Sequence, residues 1–305
     1  MKRKVIKHGP ATLTVSLPRS WVRQSGIRKG DELNVEVEGS LLKVYPGIAH
    51  MEPKRIQADF SGLGESGVHS ILSVLHKSGY DEIDVHVSSK EGMKAVQERV
   101  NTFLHGYEII EQTSKGCVVR SISSDQPSEI DTLLRRCFLV AISLARSSME
   151  ALEAGEAAKL SDALALETTS NRLSNYCERL INKSPYKDEK SIYRYLVVWV
   201  LESICDDYRD LIRHELAEAR SGRKKPSNAA LELYKASLHL LEEYYGFFYH
   251  YKAESVEKLR YKVSRFKKLI IDSGLKHDES VFALCLSSVA GRVNDLFGAT
   301  IGLNS

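Results

Sequence analysis

The sequence predicts an α+β multidomain protein, with a small β-rich head, a small α/β middle segment and a C-terminal half built as a pair of three-helix bundles. Three observations carry this prediction. The 305 residues exceed what one ordinary core accommodates, so two or three domains are expected. Apolar residues alternate with period two in residues 1–46, and the segment 55–124 switches between strand and helix periods. From Ser128 onward the apolar spacing is almost wholly helical.

In the head, residues 5–7 and 12–16 are β-rich and flank His8-Gly9-Pro10. Leu17-Pro18 opens a short helix over 19–24, with Pro18 near its first turn and Gly26 past its end. Lys29-Gly30-Asp31 signals a turn. Leu33, Val35 and Val37, then Leu42 and Val44, alternate as two half-buried strands around Glu38-Gly39-Ser40. A piece of this size buries too little apolar surface to stand alone, so dimerisation is expected.

Residues 47–54 read as a linker. Beyond them, 56–60 and 83–87 pattern as strands, 68–77 and 91–103 as helices, and 107–113 with 117–122 as a hairpin around Ser114-Lys115-Gly116. This α/β segment has no Gly-rich phosphate loop and no nucleophile signature. Its expected role is a spacer or dimerisation unit rather than a ligand sensor.

In the helical half, Ser128 with Asp131 resembles a capping box. Breaks at Gly155, Lys183-Ser184-Pro185, 221–228, Ala253 and Ser273-Gly274 delimit six helices. Leu133, Cys137, Ala141, Leu144 and Leu152 mark the apolar face of the first. Two antiparallel three-helix bundles are the expected packing. The crowd of Tyr244, Tyr245, Phe247, Phe248, Tyr249 and Tyr251 is expected to pack in the bundle or at a subunit interface.

Charge divides unevenly over this plan. The whole chain carries +3, but residues 1–46 hold nine basic and four acidic side chains, a charge of +5, and the remainder sums to −2. A basic head on a slightly acidic body points toward a polyanionic partner. The longest apolar run, 195–201, is far shorter than the roughly 20 residues of a membrane span, and the basic N-terminus lacks a secretion-signal core. The five cysteines form no CxxC pair, which fits reduced thiols in a cytoplasm and excludes a zinc finger or disulfide scaffold. No Ser-His-Asp order or P-loop marks an enzyme.

The helical half also repeats itself. LESICDDYRDLI at 201–212 aligns with LSSVAGRVNDLF at 286–297, and NRLSNYCERLIN at 171–182 with YKVSRFKKLIID at 261–272, which suggests duplication of a three-helix unit. In the first copy Glu202 and Asp206 lie one turn apart, Asp210 continues their stripe, and Glu167 with Asn171 sits on the preceding helix. Carboxylates at this spacing repel unless a cation intervenes, and a divalent metal or ferric iron suits oxygen donors. The competing expectation is ion pairing, with Arg209 three residues after Asp206 and Arg213 three after Asp210. The second copy has Ser287 and Gly291 at the positions of Glu202 and Asp206.

Two resemblances follow from these motifs. VSLPRSWVRQSGIRKGDELNVEVEG at 15–39 resembles the AbrB/SpoVT/MazE swapped-hairpin DNA-binding domain, with its S-L-P helix start, Gly-Ile exit, K-G-D-E turn and final hairpin. The half from 128 to 303, with repeats 128–220 and 227–303, resembles the PhoU family of phosphate-uptake regulators, and LESICDDYRDLI is similar to that family's metal-binding E-x-x-x-D segment. Together they resemble archaeal regulators that join an AbrB-like head to a PhoU-like body. The resemblance implies a cytoplasmic homodimer or larger assembly that binds double-stranded DNA and regulates phosphate homeostasis, with phosphate-transport or signalling proteins as further partners. The implied metal ligands are Glu167, Asn171, Glu202, Asp206 and Asp210, although Asn171 stands where an acid is expected.

The candidate DNA contacts are Lys2, Arg3, Lys4 and Lys7 on the first strand, Arg19 and Arg23 on one face of the helix, and Arg28 and Lys29 beside the turn. Thr12 joins them at the end of the loop His8-Gly9-Pro10-Ala11-Thr12, which lacks the Gly-Arg of bacterial AbrB proteins. The alternative function is an adaptor that regulates a phosphate transporter by protein contact, its head serving only to dimerise it.

Overall fold

The computed structural model describes residues 2–10, 12–38, 41–46, 53–123, 129–183, 189–222 and 225–305. They form two compact units, Met1–Lys54 and Arg55–Ser305.

The first unit is built from two hairpins and one short helix. Strand β1 (Ile6–His8) pairs antiparallel with β2 (Thr12–Thr14), placing Lys7 opposite Leu13. Helix α1 (Arg19–Gln24) has Pro18 as its extended N-cap, and Gly26, at φ 64°, lets the chain leave it in the left-handed region. The next turn is closed by Asp31, whose side chain accepts from the Arg28 N–H at 2.7 Å. Strands β3 (Leu33–Glu38) and β4 (Leu41–Pro46) pair so that Val35 faces Val44 and Val37 faces Leu42. The first strand is narrower than the sequence pattern suggested: of the four basic residues assigned to it only Lys7 lies within it, and Lys2, Arg3 and Lys4 precede it.

The second unit opens with a four-stranded sheet. Its strands are β5 (Arg55–Asp59), β6 (Glu82–His86), β7 (Tyr107–Gln112) and β8 (Gly116–Ser121), in the order β5-β6-β8-β7. Helix α2 (Glu65–Lys77) makes the crossover between the parallel β5 and β6, and α3 (Lys90–Phe103) leads to the β7–β8 hairpin. The elements follow the sequence periods closely because each strand puts alternate residues inside. Ile83, Val85, Cys117 and Val119 are buried with Val68, Leu72, Val96 and Val100 of the two helices.

The remaining helices are α4 (Ile130–Ala154), α5 (Ala157–Lys183), α6 (Ser191–Arg220), α7 (Asn228–Tyr249), α8 (Ser255–Asp272) and α9 (Ser280–Asn304), with a 3-10 turn at His277–Glu279. They break at the expected places; 184–188 and 223–224 lie outside the described residues, as do Ser128 and most of the linker. The flanking residue of α4 is Glu129, which makes no side-chain cap. Instead of two separate cores, one continuous apolar cluster runs through all six helices, because α6 packs on α9 and α4 on α7 across the repeat boundary. The aromatic residues of α7 belong to it: Tyr244 and Phe247 are buried against Phe297, and Phe248 and Tyr249 lean on Phe138.

The repeat positions fall at equivalent depths. Leu201, Ile204, Leu211 and Ile212 on α6 are buried, as are Leu286, Val289, Leu296 and Phe297 on α9. The segment His277–Asn304 is long and apolar enough to cross a bilayer. Its helix is in contact with α6, α7 and α8, which accounts for the apolar content of α9 by packing. All five cysteines are free and buried.

Candidate nucleic-acid interface

In the first unit every candidate DNA-contacting side chain is exposed: Lys2, Arg3, Lys4, Lys7, Thr12, Arg19, Arg23, Arg28 and Lys29. None of the eight cations among them forms a side-chain ion pair with the described residues. Arg19 and Arg23 are one turn apart on α1, so their side chains leave the same helical face. Lys7 sits in β1, and Thr12 opens β2 opposite His8. Free cations at this density attract phosphates and release condensed counterions, which gives an affinity that falls steeply with salt.

The same unit leaves its apolar residues uncovered. Among its described residues none is buried. Val37 is 78% exposed, Leu13 69%, Leu42 58% and Val35 57%. Because Val35 faces Val44 and Val37 faces Leu42 across the ladder, these side chains form one apolar face of the β3–β4 hairpin. The period-two pattern is therefore present, but no described residue of this unit covers it. Residues 8–49 match the family described as antidote-toxin recognition MazE, bacterial antitoxin. Domains of this MazE/AbrB type bind DNA and dimerise. No curated protein matches the chain.

The acids singled out in the helical half gather around a guanidinium. Arg209 Nη1 lies 3.1 Å from Glu167 Oε1 and also pairs with Asp206, and Arg209 Nη2 lies 3.0 Å from Asp210 Oδ1. Asn171 donates to the same Glu167 oxygen at 2.7 Å. The cation that this acidic stripe needs is thus supplied by its own helix, and Asp210 takes Arg209 in place of the expected Arg213.

Glu202, one turn before Asp206, has no hydrogen bond among the described residues, and burial, then the Asp206 charge, pushes its carboxyl up to about 7. Asp206 is also raised by burial, against the pull of Arg209.

Two further cations come from the α/β layer, and local spacing gave no sign of them. Lys77 at the end of α2 pairs with the buried Glu178 of α5 at 3.2 Å and also favours ionisation of Glu202. Arg99 of α3 binds Ser73 Oγ at 2.7 Å and feels Glu167 and Glu202. Both helices contact α5, which is how residues distant in sequence reach the acids.

Proposed function

We propose that this chain is a DNA-binding transcriptional regulator that acts as a homodimer, in which two copies of the head create the operator-reading unit. One observation carries the reading: the head combines eight exposed cations that form no ion pair among the described residues with an exposed apolar hairpin, on a segment matching a DNA-binding family. Pairing two heads covers the apolar faces and brings together a charge of about +10, twice the +5 of one head. The phosphate contacts fall to Lys2, Arg3, Lys4, Lys7, Arg19 and Arg23, with Thr12, Arg28 and Lys29 at the turns.

The helical body, by its resemblance to phosphate-uptake regulators and its paired repeats, supplies the signal or partner contact, with phosphate homeostasis as the regulated process. The competing adaptor reading uses the head only to dimerise. Charge reversal separates the two: Lys4→Glu with Arg23→Glu should weaken binding to duplex DNA at least tenfold and flatten the dependence of affinity on salt. Unchanged affinity and salt slope in a correctly folded dimer would leave the adaptor. Recovery of promoter fragments of phosphate-transport genes from a genomic pool tests the phosphate assignment separately.

A further inference from the structure

We propose that Glu65, His69 and Glu98 form a site for a first-row divalent transition-metal ion, placed in the α/β layer and independent of whether the head binds DNA. Glu65 and His69 are one turn apart on α2, and Glu98 approaches from α3. One donor atom from each lies within 4.8 Å of the others, a convergence of an imidazole with two carboxylates from two helices.

The imidazole is set by a contact outside the cluster. His69 Nε2 lies 3.2 Å from the Ala95 carbonyl oxygen. A carbonyl can only accept, so Nε2 carries a proton, and a neutral ring keeps the lone pair of its other nitrogen for a ligand. A ring N–H donated to a backbone carbonyl is the usual support of a metal-binding histidine.

The carboxylates are uncompensated. Neither Glu65 nor Glu98 has an ion pair or hydrogen bond among the described residues. Several other acids of this unit are matched by cations: Glu82 by Arg55 and Arg120, Glu178 by Lys77, and Glu167 with Asp206 and Asp210 by Arg209. Two glutamate carboxylates brought together with no cation repel unless an ion joins them.

Both glutamates are exposed, so their side chains can close from 4.8 Å onto an ion with bonds of about 2.0–2.2 Å without moving the helices. One nitrogen and two oxygen donors favour Zn²⁺ and its neighbours over Mg²⁺ or Ca²⁺, which prefer all-oxygen shells. Water would complete the coordination. An ion here would tie α2 to α3, the two helices through which the layer contacts α5, giving the segment a sensory role beyond that of a spacer.

Isothermal titration of the 305-residue chain with Zn²⁺, with Mg²⁺ as the comparison, tests the site. One Zn²⁺ per chain is expected, bound at least tenfold more weakly by His69→Gln and by Glu98→Gln, with far-ultraviolet circular dichroism unchanged. Mg²⁺ should not compete at equal concentration. A wild type without a stoichiometric Zn²⁺ site overturns the proposal, as does Zn²⁺ binding that survives the combined Glu65→Gln, His69→Gln and Glu98→Gln substitutions. Failure of this test leaves the DNA reading untouched, because all three positions lie in the second unit.

Discussion

Arg179 of α5 joins Asp81 of the α/β layer through an Nη2–Oδ1 contact of 2.8 Å, and its side chain is 0% exposed. A fully buried guanidinium is tolerable only when its donors are satisfied and its charge is matched. Here the Tyr80 carbonyl accepts from Nη1 at 2.6 Å, Tyr107 Oη lies 3.0 Å from the same nitrogen, and Asp81 provides the countercharge. Lys183 also reaches Asp81, from one turn further along α5. The backbone makes room for it: Gly79 has φ 78°, and a Cβ there would come within 2.5 Å of the Lys183 side chain. A polar seam therefore holds the sheet layer to the helical core, which otherwise have separate apolar clusters.

Removing Arg179 should destabilise the second unit strongly. Arg179→Ala removes the guanidinium that joins Tyr80, Tyr107 and Asp81, leaves Asp81 to Lys183 and opens a void where a large side chain was buried, and should cost about 2–5 kcal/mol in urea unfolding. Asp81→Asn keeps a hydrogen-bond acceptor but leaves the fully buried guanidinium without its countercharge, and should cost at least as much. A loss below about 1 kcal/mol for Arg179→Ala would show that the seam is held by something else.

The dimer prediction rests on the uncovered hairpin. Val37, 78% exposed in one chain, should be covered when two heads pair. Val37→Asp would place a charge in that interface and should convert the protein to monomer in sedimentation equilibrium. The thermal transition of the second unit should not move. A dimer of undiminished affinity in the variant would place the interface elsewhere.

The α/β layer was legible from sequence because each of its elements carries its own signal: alternation in Ile83 and Val85, helical spacing in Val68 and Leu72, and Ser-Lys-Gly at the hairpin. The helix breaks were legible for the same reason. The exposure of Val35 and Val37 was not: their alternation read as half-burial, and alternation specifies a face but not what covers it. Spacing also placed the acids of α5 and α6 correctly, yet Lys77 and Arg99 reach them only through tertiary packing, which leaves no periodic trace. Glu65 and His69 stand at a readable spacing, and the arrival of Glu98 beside them was equally hidden.

Arg209 offers a direct test of the acidic stripe. Arg209→Ala leaves Glu167, Asp206 and Asp210 without the guanidinium they share, and should lower stability by about 1–3 kcal/mol. If these carboxylates need only a positive charge, millimolar Mn²⁺ should recover part of the lost melting temperature in the variant and do little for the wild type. Equal response of the two proteins to Mn²⁺ would show that Arg209 does not act as the stripe's cation.

Glu202 makes stability depend on pH in a defined direction. Burial, then Asp206, raises its folded carboxyl from 4.5 to about 7, so the folded state holds a proton that the unfolded chain releases between those values. Its favourable contribution is present in full below about pH 4.5, declines as pH rises, and is gone above about pH 7. Glu202→Gln removes the ionisation while keeping shape, so the variant should match the wild type near pH 4.5 and exceed it at pH 8. Partial exposure and the nearby Lys77 limit the gain to about 1–2 kcal/mol. Glu178 and Asp206 are raised by burial as well, so the informative quantity is the difference between variant and wild type. Urea unfolding at pH 5, 6, 7 and 8 measures it. A difference that does not grow over this range would mean that Glu202 ionises in the folded protein as freely as in the unfolded chain.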